Sequence, residues 1–205
     1  MAYVEASVRH GHLVGAARSA FARNGVWRTS LRAVAAEAGV PLGTMQHVFA
    51  SKEHLLRAVI EDVVTEIAGV LDSSATLDAG LARAVRDVLT GYWTQLVDQQ
   101  NDEQIMQYEL TTYALRTSGQ HELARWQYSQ YCDVVAQWCR RAAEHAGEVC
   151  AVPYTQLARV IVAGMDGLIL QHICDADADR SASDLDALID MVTALADVRP
   201  TPAKQ

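Results

Sequence analysis

Four prolines, at positions 41, 153, 200 and 202, are all that 205 residues contain. Proline stops a helix because it lacks the N–H and its ring clashes with the preceding turn; between Pro41 and Pro153 nothing of that kind intervenes. Apolar residues recur at three-and-four spacing nearly throughout, and no run alternates with the period of two that a half-buried strand needs. The pattern predicts an all-α fold with helices over about 5–23, 30–37, 41–48, 51–71, 76–98, 101–117, 119–146, 153–174 and 183–197. "RNG" before Val26 reads as a C-cap, Ser30 and Ser51 as N-caps, "LDSSATLD" as a turn, and "HAGEVCAVP" as a stop before a new helix near Pro153. The tail "VRPTPAKQ" has two prolines and no apolar stripe, so 199–205 is expected to be disordered.

One segment is more specific than its surroundings. In "LRAVAAEAGVPLGTMQHVF", residues 31–49, Val34, Ala38, Val40, Met45 and Val48 are the apolar positions of two short helices hinged at Gly39. Glycine can take the positive φ of a tight turn, and small Ala35 lets the second helix approach the first. That is the requirement of a helix-turn-helix, in which one helix protrudes far enough to enter a DNA major groove. The outward side would present Leu42, Gly43, Thr44, Gln46 and His47, side chains suited to base edges, phosphates or a thymine methyl.

Charge supports the same partner. Formal net charge is −8, yet residues 1–57 hold seven Lys/Arg against three Glu, a net +4, while the remainder stands at −12. A basic head on an acidic protein fits an anionic partner that touches only the head.

Around this segment the sequence resembles the TetR family of bacterial transcriptional regulators. "AARSAFARNG", "TSLRAVAAEAGV" and "GTMQHVFASKEHLL" follow in the family's order and spacing from about residue 13 to residue 60. The resemblance implies a three-helix DNA-binding head over 1–50 and a helical ligand-binding and dimerisation domain over 51–198, followed by the tail 199–205. It places DNA-facing positions at Thr29, Ser30 and Arg32, along Pro41, Leu42, Gly43, Thr44, Gln46 and His47, and at Lys52. Two departures stand out: the family usually has Tyr where Gln46 stands and a polar residue, often Ser, where Pro41 stands. Helix N-termini and Lys52 suit phosphate, and Gln46 could bond adenine through two hydrogen bonds.

Beyond residue 90 the aromatic residues cluster. Trp93, Met106, Tyr113 and Tyr131 are expected to line a cavity for a mostly apolar or aromatic effector, with Glu109 as its polar handle, because ligand sites are largely apolar with few polar groups. The last two helices carry more apolar surface than one face of a small domain needs, so Met165, Leu168, Ile169, His172, Leu188, Val192 and Leu195 are expected at a homodimer interface. The resemblance adds a four-helix interface that spaces two heads for successive major grooves. The alternative is a constitutive DNA-binding or partner-binding protein without a cavity.

Other chemistry has little support. Neither E-x-x-H nor H-E-x-x-H occurs among the seven histidines, so no metal is expected. Gly164 and Gly167 in "VAGMDGLIL" form no G-x-G-x-x-G and suit close helix packing, and no G-x-S-x-G appears. No cofactor and no catalytic residues are expected. Cys132, Cys139, Cys150 and Cys174 lack C-x-x-C spacing and read as reduced core thiols. The N-terminus lacks the order of a signal peptide and the apolar runs are broken by charges, which leads to the expectation of a cytoplasmic protein without a membrane span.

Overall fold

A computed structural model describes residues 2–74, 79–98 and 101–201. Nine helices run through them: α1 (Ala2–Asn24), α2 (Leu31–Glu37), α3 (Leu42–Val48), α4 (Lys52–Ser74), α5 (Leu81–Asp98), α6 (Asp102–Arg116), α7 (His121–His145), α8 (Tyr154–Cys174) and α9 (Ala178–Ala196). The all-α expectation holds, and most ends fall within a few residues of those predicted. α9 starts five residues earlier than expected because Asp177 caps it, its carboxylate accepting the Arg180 N–H at 2.9 Å. Pro41 and Pro153 stand at the N-cap positions of α3 and α8, where a missing N–H costs nothing. The expected start of α5 at 76 and part of the "LDSSATLD" turn lie outside the described residues.

The chain packs as two units. The first takes residues through Thr65 together with Asn101–Tyr128. Its core joins Leu13, Phe21, Val26, Val34, Met45 and Ile60 to Met106 and Leu110 of α6 and Leu123 of α7. A boundary at residue 50 therefore does not describe the packing, because the start of α4 and all of α6 complete the head's core. Arg18 adds a polar tie, reaching Asp62 at 2.8 Å and Glu103 at 3.2 Å.

The second unit takes the segment from Glu66 to Gln100 and everything from Ser129 on. α8 and α9 pack closely in it, as do α5 and α9. Gly164 permits the first contact: a Cβ there would lie 2.4 Å from Leu188 Cδ1. Gly167 would meet nothing within 4 Å, so close packing explains Gly164 alone. α8, 21 residues long and containing an 18-residue window of mean hydropathy 1.4, could cross a membrane by length and composition alone, but Arg159 and Asp166 interrupt its apolar run as the sequence leads one to expect. Its stripe Leu157, Ile161, Met165 and Ile169 is buried within the unit.

The tail also differs from its prediction. Arg199–Pro200 forms a strand, β2, antiparallel to β1 (Glu148–Val149), and Thr201 N–H donates to Gly147 O at 2.7 Å. Those backbone bonds hold 199–201 in place; 202–205 lie outside the described residues.

Candidate nucleic-acid interface

The turn between α2 and α3 is built as the sequence requires. Gly39 has φ +67°, a region that L side chains rarely adopt, and nothing lies within 4 Å of where its Cβ would be, so conformation rather than space selects glycine. Gly39 N–H donates to Ala36 O at 3.2 Å and Val40 N–H to Ala35 O at 2.9 Å. These are the paired bonds of a Schellman motif, which satisfy carbonyls at the end of α2. Val34, Ala35, Ala38 and Met45 are buried beneath the pair and fix its angle.

With that underside fixed, the outward residues of α3 are decided. Pro41, Gly43, Gln46 and His47 are exposed, whereas Thr44 is half-buried and Leu42 packs against the core. Leu42 is thus less available to a thymine methyl than expected. Ser30 and Arg32 are exposed at the start of α2, and the Ser30 hydroxyl caps that helix by accepting Ala33 N–H.

Thr29 is a correction. It is 2% exposed, and its hydroxyl donates to Gly25 O at 2.8 Å, so it locks the α1–α2 turn instead of facing DNA. Lys52 is half-buried: its ammonium donates to Val26 O and lies 4.6 Å from the Tyr113 ring centroid. Partial burial lowers its pKa from the ordinary lysine value. Trp27, 50% exposed, meets the Tyr113 ring at a tilt of 58° with centroids 4.7 Å apart and sits beside exposed Arg28; both escaped the sequence reading, which assigned that turn only a capping role.

The residues expected around a ligand divide between the units. Trp93 and Tyr131 are buried in the second. Trp93 places its ring edge-on to His172 at 5.4 Å, and His172 Nδ1 is 3.0 Å from Ser181 Oγ. Met106, Glu109 and Tyr113 belong to the first unit, where Met106 is core. Glu109 has a different partner from the expected ligand, since its carboxylate accepts Val26 N–H at 2.7 Å. A contact spanning that much sequence has no local signal.

The expected dimer residues are likewise redistributed. Met165, Ile169, Leu188 and Val192 are buried in their own unit, and Leu168, His172 and Leu195 are half-buried. The large apolar side chains that α8 and α9 expose are Leu170, at 47%, and Met191, at 63%. An apolar stripe does not say whether it faces its own neighbour or another chain. Among the described residues no group of three or more His, Cys, Asp or Glu could hold a metal. All four cysteines are free; Cys139 is core, Cys132 and Cys150 are half-buried, and Cys174 is exposed, contrary to its expected core place.

Residues 13–59 match the sequence profile of bacterial regulatory proteins, tetR family, and residues 76–197 that of the tetracyclin repressor-like C-terminal domain. The chain is 29% identical over 186 residues to the HTH-type nicotine-responsive transcriptional repressor HdnoR of Paenarthrobacter nicotinovorans, covering 89% of this chain and 92% of that one. It is similar to the solved structure of multidrug binding protein EbrR complexed with imidazole, with TM-score 0.63 and 25% identity over 96% and 95% of the two chains. A TetR family member from Streptomyces coelicolor A3 gives TM-score 0.65 at 24% identity over 92% and 98%.

Proposed function

Because the chain belongs to the TetR family of bacterial transcriptional regulators, we propose that it represses transcription as a homodimer on a near-palindromic operator and is released by a small, mostly apolar or aromatic effector. The observation that carries the DNA contact is the outward row of α3, Pro41, Gly43, Gln46 and His47, above a rigid apolar underside. Gln46 offers an amide that can pair with the N6 and N7 of adenine, and the +4 head supplies the sequence-independent attraction. Such a regulator works where the chromosome is, which makes the cytoplasm its site of action. The activity is binding without turnover.

The supports for an effector are the relatives. HdnoR is described as nicotine-responsive, and EbrR as a multidrug binding protein that holds imidazole. A neutral or cationic nitrogen-containing aromatic suits a remainder with net charge −12 better than an anion does. Release is then a population shift, in which the effector binds the DNA-incompetent arrangement more tightly than the competent one. The dimer would use the outer sides of α8 and α9, with Leu170 and Met191 added to the half-buried Leu168 and Leu195.

The experiment is selection of duplexes from a random pool, followed by competition with Gln46→Ala. Losing a bidentate contact worth about 1–3 kcal/mol should relax base preference at one position in each half-site by about 5- to 150-fold while non-specific affinity holds. A protein that selects no sequence refutes the repressor reading. Nicotine and imidazole are the first effectors to test: a rise in melting temperature reports binding, and a fall in operator affinity reports that binding favours the DNA-incompetent arrangement.

A further inference from the structure

Val26, in the turn between α1 and α2, has both backbone groups taken by side chains from other helices. Its N–H donates to Glu109 Oε2 of α6 at 2.7 Å, and its carbonyl accepts from the Lys52 ammonium at the start of α4. Tyr113, one turn beyond Glu109, brings its ring centroid to 4.6 Å from that ammonium, and the Phe21 ring stands at 6.0 Å. The Lys52 nitrogen is thus confined by a neutral carbonyl and neutral rings. Such partners attract a cation without cancelling it. Among the described residues the ammonium donates one of its three N–H groups, to Val26 O, and makes no ion pair, which holds it at a defined place. Partial burial, which lowers its pKa, strips part of its hydration and leaves it short of polar partners. An arriving anion restores what burial removed.

We propose that Glu109 and Tyr113 are positioning residues for DNA binding: through Val26 and the aromatic ring they hold the Lys52 ammonium as a fixed, uncancelled cation for one phosphate of the duplex. The proposal rests on the DNA-binding reading above. It gives α6, far along the chain from the helix-turn-helix, a direct part in the contact. It also gives the two residues, expected from sequence to meet an effector, a defined task in the free protein.

Binding of the full-length protein to a labelled random-sequence duplex, followed by anisotropy between about 50 and 200 mM salt, reads the number of phosphate contacts directly. One contact contributes about 0.9 to the slope of log affinity against log salt, or about 3.5-fold over that range. Lys52→Met and Tyr113→Leu should each flatten the salt dependence by about that amount, and the double variant should be no flatter than Lys52→Met alone. Tyr113→Phe keeps the ring and Glu109→Gln keeps an oxygen acceptor for Val26 N–H, so both should retain the unmodified slope, whereas Glu109→Ala should flatten it. Tyr113→Met, unbranched and compliant, serves in place of Leu if that variant does not fold. Weaker binding by Tyr113→Leu at an unchanged slope, or a further flattening in the double variant, overturns the proposal alone. Failure of the unmodified protein to bind any duplex overturns the DNA-binding reading and this inference with it.

Discussion

Replacing Gly164 by Ala sets two effects of opposite sign against each other. In the middle of α8 alanine should gain about 1 kcal/mol, because it loses less backbone entropy on forming helix than glycine does. The added Cβ, however, would lie 2.4 Å from Leu188 Cδ1, 2.8 Å from Cδ2 and 3.2 Å from Cγ. All three atoms belong to one branched side chain that is only 6% exposed, so no single rotation toward solvent clears them. Inserting a methyl into a packed site of this kind costs about 1–3 kcal/mol. Packing should therefore win, with a net loss of about 1 kcal/mol and a fall in melting temperature of about 2–4 °C. Gly69→Ala in α4 is the control, since its Cβ would meet nothing within 4 Å and only the propensity gain remains. The double variant is sharper still. Leu188→Ala alone should cost about 2–5 kcal/mol, and less by about 1 kcal/mol when the methyl of Gly164→Ala fills part of the void. Urea midpoints should be compared at one protein concentration, because a dimer's stability depends on it. If Gly164→Ala stabilises as much as Gly69→Ala, and the changes at 164 and 188 simply add, the close approach of α8 and α9 is not what selects glycine.

Thr29→Val should cost about 1–2 kcal/mol by leaving Gly25 O without its donor, while operator preference is unchanged; altered base preference in a selection would return Thr29 to the DNA-facing set. Leu170→Arg and Met191→Arg should yield folded monomers by sedimentation, because they place charge on the exposed apolar positions of α8 and α9. Leu188→Arg should unfold the protein instead of splitting it, and a folded monomer from that variant would contradict its burial. Burial pushes the Cys139 thiol up to about 12, so at pH 8 its thiolate is scarce. Iodoacetamide should label exposed Cys174 in the native protein and reach Cys139 only after denaturation, as peptide mass mapping would show; early labelling of Cys139 counts against the packing around α7.

Most of the helical order was legible because its signals are local. Periodicity, the cap at Ser30 and the positive φ at Gly39 act within a few residues of one another, whereas the cap at Asp177, equally local, was passed over. Gly43, Gln46 and His47 followed from the apolar underside of α3 for the same reason, whereas Leu42 and Thr44, expected beside them, are partly buried. Non-local partners were not legible. Nothing near Glu109 indicates that its carboxylate meets Val26, and a threonine before a helix looks the same whether its hydroxyl turns outward or back to Gly25. Leu188 and Met191 differ in burial although both are apolar and on one helix, because the neighbours of α9 decide which side is inside. Two-residue strands carry no period, so the pairing of Arg199–Pro200 with Glu148–Val149 had no pattern to announce it.

The first unit is built from two stretches of chain with a stretch of the second unit between them. During synthesis the helix-turn-helix emerges early, yet Met106, Leu110 and Leu123 of its core are still unmade. The nascent head must wait with an open apolar flank until the ribosome has passed residue 128, a period in which chaperones have a substrate. Gene fusion meets the same constraint. A graft that exchanges only the first sixty or so residues between relatives transplants a reading surface without its α6 wall, whereas one that carries 101–128 as well moves the whole of it.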